Sequence, residues 1–569
     1  MHQCNVAFGW IKSFYLTALW SWEACGNPCV TAQGSNELHV DLRILEEWTF
    51  LDAEKRSSLG GHNIVWIVVV LVLFFLTRIL FLCSLPVFYD ESIYIRWAQR
   101  ALHEGAWFVS LTDGKPPLHV WWMVPFLRFF TDPLMAGRLA SVLAGLVSLA
   151  GVVLIGRELK DLKTGLFAGI LYVVCPFTLW YDRLAITEGL LLALFVFTIF
   201  FELKASRNLS PVYFLLAGIC FGLALLAKGT AQLLALIVPF AFVVRPKNER
   251  PTGFALKWAS GVVMSLLVGF GLYNVLRISP LFGQITAKTS QTTKTFSELL
   301  QEPFDVFFVN FTAIIKTLWV FLTPSIFILS IAGLILGLKR RWRPAIFLSL
   351  WVTVVWIVES LIAKHWMFPT ILPRFFLALV PPLLISTGYC LLESFEYLKE
   401  KYLEASKKTL QAFVAAFLIV LLGFPLLNVF VIAASPSNAV LPEWIRFQYL
   451  EGWPAGTGMN EIISVLEKES EKGRITVGSN MPGIGLPTDA LLMYFHENKN
   501  VEIITFRYDA RNLPDKLMEA SKKRRTYVVF NMFGERNVPN PGWPVRTVRK
   551  FQKGEGSAYS IFLLRVTSA

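Results

Sequence analysis

Charged residues are scarce in this chain. Only 16% of its 569 residues are Asp, Glu, Lys or Arg, where a soluble globular protein carries roughly a quarter. A surface facing water throughout would need more, so much of this surface must face lipid. The mean hydropathy of +0.54 and the apolar share of 55% agree. Cysteine is sparse as well, and the seven present (Cys4, Cys25, Cys29, Cys83, Cys175, Cys220, Cys390) form no disulfide framework. Four of them fall in apolar segments, where cysteine behaves as a small hydrophobe. Cys25 and Cys29 could pair or bind metal, but no His or Cys cluster near them supports a zinc site. No Gly-rich phosphate loop follows a strand, and no acidic nucleotide-metal motif sits in a soluble segment, so no nucleotide cofactor is expected. Nor does a basic face with interleaved aromatics accompany the net charge of +13. That argues against nucleic acid as a partner.

What the chain has instead is long apolar runs. Stretches of about 17–25 residues are long enough to cross a bilayer core as helices. They fall near 64–85, 134–156, 165–181, 187–203, 211–227, 229–244, 257–278, 319–338, 344–362, 371–394 and 409–434, about eleven in all. The expected fold class is thus an α-helical polytopic membrane protein. The basic clusters Arg157/Lys160/Lys163, Lys204/Arg207, Arg245/Lys247/Arg250, Lys339 to Arg343 and Lys399 to Lys408 occupy alternate connections, which belong on the cytoplasmic side. The N-terminus is then inside and the C-terminal tail outside.

Three domains are expected. Residues 1–62 hold an apolar stretch too short to span and receive no function. Residues 63–435 form the membrane domain, whose first outer loop, 86–133, carries amphipathic helical stretches at 92–104 and 117–130. A second outer loop, 279–305, is polar and rich in Thr and Gln. Residues 436–569 are charged, with Gly/Pro turns. Helices at 460–472 and 514–523, with strands at 474–478, 501–506, 526–531 and 560–566, predict a small extracytoplasmic α/β domain.

Ionisable groups at a membrane span cost several kcal/mol on insertion scales, so each is a functional candidate. Here they gather at the outer ends of helices. Asp90 and Glu91 follow the first span, Asp113-Gly114-Lys115-Pro116-Pro117 leads into the second amphipathic stretch, and Tyr181 to Glu188 joins two spans with Arg183 inside it. Lys228, Arg277, Lys364 and Arg374 face the same side, with Glu359 and His365 nearby. Helix capping suits the acids and buried ion pairing suits the cations. Convergence of all of them on one side of a bundle suits an anionic lipid headgroup, where cations offset phosphate charge and a carboxylate takes a proton.

The order Tyr89-Asp90-Glu91, Lys115-Pro116-Pro117-Leu118, and Arg183 followed by Thr187-Glu188 resembles the GT-C membrane glycosyltransferases. Within them it is most similar to the protein O-mannosyltransferase superfamily and the lipid A aminoarabinose transferases. The likeness is strongest over 64–240 and continues to 434, where His365 to Pro382, with Arg374, looks like a later family signature. It implies a GT-C fold and an inverting transfer of a sugar from a polyprenyl-phosphate donor to a protein, lipid or glycan acceptor at the outer membrane face. It implies Asp90, with Glu91 second, as the acid that activates the acceptor, Glu188 as the acid opening a later span, and Lys115 beside the donor phosphate. Arg183 and Arg374 join Lys115 as expected phosphate-binding cations. A divalent metal is the cofactor left open, with Asp90 and Asp113 as candidates. Aminoarabinose transferases often carry an acid just before the motif lysine, where this chain has Gly114. Rival readings are a transporter of the lipid-linked sugar that makes no bond, which the absence of inverted repeats opposes, and a scaffold displaying the outer domain.

Overall fold

The structure is a computed structural model and describes residues 61–246, 251–365, 370–401, 407–481, 484–535 and 537–567. Residues 65–569 form one compact unit. The stretch Ile11 to Trp22 and the pair Cys25 and Cys29 lie outside the described residues.

The chain is mostly helical, and its helices sort by length. Among the described residues six are long and apolar enough to cross a membrane: Pro133–Leu159, Thr187–Asn208, Gly253–Ile278, Arg343–Ile362, Pro373–Lys401 and Ala416–Ala434. Two bent pairs of helices, Leu162–Val174 with Pro176–Asp182 at 68° and Phe307–Phe321 with Pro324–Lys339 at 115°, are apolar enough to be a broken span or a re-entrant loop each. Both break at a proline, which cannot donate the hydrogen bond that would continue the helix. Ile64–Ile79, Pro211–Ala227 and Gly229–Val244 are apolar but shorter. Among the described residues, length and composition support six to eight crossings, and the expected eleven is reached only by adding the three shorter apolar helices. Large apolar side chains such as Leu256, Leu267, Ile419 and Val420 stand outward on these helices, as a lipid-facing belt requires.

Four helices position the site. Helix α1 (Tyr89–Glu104) and helix α2 (Leu118–Phe129) occupy the first outer loop where two amphipathic stretches were expected. Helix α3 (Pro133–Leu159) begins cleanly because Asp132 accepts from the N–H groups of Leu134 and Met135 and Pro133 takes the first turn. Helix α4 (Thr187–Asn208) packs beside it. The contact between α3 and the Tyr181–Asp182 turn is close: a Cβ on Gly145 would meet the Asp182 carboxyl carbon at 2.5 Å. Small residues let membrane helices approach in this way. The polar stretch 279–305 folds as two short helices, Gly283–Thr292 and Phe296–Gln301.

Beyond residue 435 a five-stranded sheet is ordered β2-β1-β3-β5-β4, with β1 (Ile475–Ser479), β2 (Val501–Thr505), β3 (Thr526–Asn531), β4 (Val545–Gln552) and β5 (Ser560–Val566). The first three strands pair in parallel, and β5 runs antiparallel to β3 and β4. Central β1 and β3 are buried along their whole length, while β4 lies at the edge and is largely exposed. The sequence reading missed β4. Its Arg546, Arg549 and Lys550 obscure the strand pattern, and such charges are the usual guard of an exposed edge.

Candidate active site

The first turn of α1 separates two adjacent acids. Successive helical residues are rotated by ~100°, so Asp90 and Glu91 face different surroundings. Glu91 turns inward and is fully buried. It accepts from Arg138 Nε at 2.9 Å and Nη2 at 2.8 Å, from the Phe88 N–H at 2.9 Å and from the Ala185 N–H at 2.8 Å. One carboxylate thus caps its own helix and locks three segments together. Asp90 turns toward charges from distant parts of the chain. Its Oδ2 meets Arg374 Nη1 at 2.5 Å and its Oδ1 meets Lys115 Nζ at 3.4 Å.

Lys115 reaches Asp90 because of the turn before α2. Gly114 adopts φ +64°, and a Cβ there would run into the Gln284 carbonyl. Only glycine fits both the left-handed backbone and that close approach. The Lys115 ammonium also lies over the rings of Tyr94, at 4.7 Å, and Trp97, at 5.5 Å, a favourable placement for a cation. Arg374 projects from the 3-10 turn Pro373–Leu379, and its Nε stands 4.0 Å from Glu188 Oε1. Glu188, in the first turn of α4, accepts from Lys228 Nζ at 2.5 Å. Lys228 in turn sits 4.6 Å from the Phe375 ring. Asp90, Lys115, Glu188, Lys228 and Arg374 therefore form one continuous cluster of two acids and three cations, extended at Lys115 by Asp113 and its partner Lys288.

The cluster is partly open. Lys115, Lys228 and Arg374 are each 19% exposed and Asp90 13%, whereas Glu188 is 2% exposed. Burial alone would raise the Asp90 carboxyl, but the Lys115 and Arg374 charges outweigh it and hold Asp90 well below the usual carboxylate range. Burial would likewise lower the Lys115 ammonium, and the Asp90 charge holds it above its ordinary value.

Of the other expected residues only Asp113 touches the cluster. Arg183 donates to the carbonyls of Thr77, Phe81 and Ala433, and the structure does not bring it to Asp90. Asp113 accepts from Lys288 at 3.0 Å and faces Lys115 at 3.5 Å. Lys364 pairs with Glu298, and His365 bonds to Asn310. Asp182 pairs with Arg78 at 3.2 Å, both buried. A divalent metal does not fit these donors. Asp90 and Asp113 are each engaged by two cations, and among the described residues no group of three His, Cys, Asp or Glu could hold an ion.

Sequence reasoning passed over two neighbours. His119, on α2, is 1% exposed with both ring nitrogens unpartnered, edge-on to Tyr94 at 5.4 Å. Burial pushes it down to about 4, so it is neutral. Tyr449 is fully buried against Phe88 at 4.2 Å, in the π-helical turn Phe447–Glu451 after the last membrane helix, which is too short to give a periodic signal. Beside Glu188 and Arg374 lies a narrow cleft, otherwise lined by Leu191, Leu192, Phe195, Thr230, Leu233, Phe375, Leu377 and Ala378. Charge borders an apolar trough.

The family model described as dolichyl-phosphate-mannose-protein mannosyltransferase matches residues 114–271. No curated protein matches the sequence. Among solved structures, ArnT from Cupriavidus metallidurans bound to undecaprenyl phosphate aligns over 89% of this chain and 98% of its own, at 16% identity and a TM-score of 0.54. Its apo form aligns over the same shares at 15% identity and a TM-score of 0.51. The oligosaccharyltransferase AglB from Archaeoglobus fulgidus, in complex with an inhibitory peptide and a dolichol-phosphate, aligns over 83% of this chain and 70% of its own at 15% identity and a TM-score of 0.50. The chain has the fold of the GT-C membrane glycosyltransferases and resembles their protein mannosyltransferase and ArnT members.

Proposed function

We propose that this protein is an inverting glycosyltransferase that moves a sugar from a polyprenyl-phosphate donor to an acceptor at the outer membrane face. The observation that carries the reading is the partly open cluster in which Asp90 lies between Lys115 and Arg374. Three cations face two acids there, and the surplus suits an anionic substrate. The apolar trough beside Arg374 is the natural place for the carrier's tail, and ArnT was solved with undecaprenyl phosphate bound.

The residues divide the work as follows. The donor phosphodiester takes Lys115 and Arg374, with Lys228 beside them, as its counter-charges. Those cations then no longer bind Asp90 fully, and its carboxylate becomes a stronger base. Asp90 takes the proton of an acceptor hydroxyl, whose oxygen attacks the anomeric carbon from the face opposite the phosphate. The bond from that carbon to the phosphate oxygen breaks, and its electron pair leaves with polyprenyl phosphate. Charge on the phosphate grows as the bond breaks, which the fixed cations favour over the ground state. Glu188 holds Lys228 and Arg374 in place. In this scheme residues 63–435 are the catalytic domain, with a cytoplasmic N-terminus, and 436–569 the extracytoplasmic domain.

The test incubates purified protein with radiolabelled polyprenyl-phosphate hexoses and pentoses and with protein, lipid and glycan acceptors. Label should pass to one acceptor class, and Asp90→Asn or Lys115→Ala should slow it about a hundredfold or more. Transfer at the wild-type rate by both variants would refute the site. A donor that crosses the bilayer intact would favour the transporter reading.

A further inference from the structure

Lys553, between β4 and β5, is fully buried and makes no ion pair among the described residues. Its ammonium donates instead to four oxygens: the carbonyls of Gly452 at 3.4 Å, Trp453 at 3.1 Å and Ala455 at 2.5 Å, and Asn531 Oδ1 at 2.6 Å. An unpaired buried ammonium is costly, and a core that needed only filling would use an apolar side chain. Here the lysine satisfies three carbonyls of one irregular stretch, the linker between the last membrane helix and the sheet.

That linker ends on the turn that carries Asp90. The Tyr89 N–H donates to the Pro454 carbonyl at 3.1 Å, and Phe88 bridges Ala455 as an isolated antiparallel pair. The Tyr89 ring stands edge-on to Trp453 at 5.3 Å, and Trp453 stacks on Phe533 at 4.6 Å. Tyr89 Oη donates to the Ile484 carbonyl at 2.8 Å, and a Cβ on Gly485 would run into the Tyr89 ring. The two residues before Asp90 are thus fixed by the sheet region.

We propose that Lys553 is a positioning residue for Asp90, acting through the linker carbonyls on Phe88 and Tyr89. The sheet region thereby completes the site from outside the membrane. The inference rests on the reading of Asp90 as the acceptor base. A displacement of about 1 Å at a reacting group costs on the order of tenfold to a hundredfold in rate.

The experiment compares full-length wild type, Lys553→Met and Tyr89→Phe in lipid nanodiscs, by turnover, by binding of undecaprenyl phosphate without sugar, and by amide hydrogen exchange. Lys553→Met should lower kcat on the order of tenfold or more and speed exchange of the 88–92 amides, while carrier affinity and exchange in the membrane helices stay unchanged. Tyr89→Phe, which loses one hydrogen bond, should show the same pattern at smaller size. Unchanged turnover and exchange in folded Lys553→Met would overturn the proposal. So would a parallel loss of carrier affinity and global protection, which marks a purely structural lysine. If Lys553→Met does not fold, Lys553→Gln, which keeps a shorter donor toward the same carbonyls, is read in its place against the same two outcomes. If wild type transfers no sugar the functional reading fails, and local exchange still decides whether Lys553 orders this turn.

Discussion

Two sets of ion pairs meet at adjacent residues, Glu91 and Asp90, and differ in exposure and in charge balance. Arg78 with Asp182 and Arg138 with Glu91 are sealed, each side chain being at most 1% exposed. Charges match one to one, and spare donors go to carbonyls: Arg78 to Tyr172 and Val173, Arg138 to Leu82, Leu85 and Pro86. The cluster of Asp90, Lys115, Glu188, Lys228 and Arg374 is instead partly open and one positive charge in excess. A balanced, dry pair has no vacancy for a substrate and fixes helices against each other. A partly open cluster, whose cations share their carboxylates, has room for an incoming anion to take over one of those pairings. Asp90 and Glu91, adjacent in sequence, belong to opposite sets, so environment and not residue type separates chemistry from architecture.

Substitutions can break that contrast, beginning with the largest effect. Asp90→Asn should slow sugar transfer by roughly a hundredfold to ten-thousandfold, measured as initial rates, and leave the thermal unfolding midpoint nearly unchanged. Arg138→Met should do the reverse: stranding Glu91 costs about 3–5 kcal/mol, read as a lowered midpoint and poor recovery of folded protein. Replacing both partners, with Glu91→Leu and Arg138→Met, should restore part of that loss. Lys228→Met removes one of three cations and should weaken binding of polyprenyl phosphate on the order of tenfold, measured with labelled carrier. The smallest effect concerns Asp489 in the sheet region, which accepts from the Gly485 N–H at 2.5 Å. Burial raises it to about 6 from an ordinary 3.8. The folded state therefore holds this proton more tightly than the unfolded chain, so stability falls as pH rises from about 4 to about 6. Asp489→Asn should flatten that part of the pH–midpoint curve.

Much of the cluster was legible because charge at a membrane span is expensive and so rarely accidental. Asp90, Lys115, Glu188 and Arg374 were singled out on that ground, and the structure brings them together across 284 positions between Asp90 and Arg374. The same cost also marked Arg183, which the sequence could not distinguish. A guanidinium that fills the carbonyls of helix ends looks identical in sequence to one awaiting phosphate. Glu91 could not be told from Asp90, since one step along a helix decides which faces inward. The sheet was read strand by strand from its apolar alternation, except β4, whose exposed edge carries the opposite pattern. The linker that reaches Tyr89 has neither helical nor strand periodicity, and Lys553 in sequence is one more lysine in a basic tail. Its meaning lies in four oxygens supplied by two distant segments.

The central claim is that the open cluster makes a glycosidic bond. Its most direct test follows labelled polyprenyl-phosphate sugar in proteoliposomes and quantifies both products of one turnover. The account predicts that glycosylated acceptor and free polyprenyl phosphate appear in equal amounts with wild type, and that neither appears with Asp90→Asn. Intact donor emerging on the opposite leaflet, with no new glycoside and no dependence on Asp90, would contradict it.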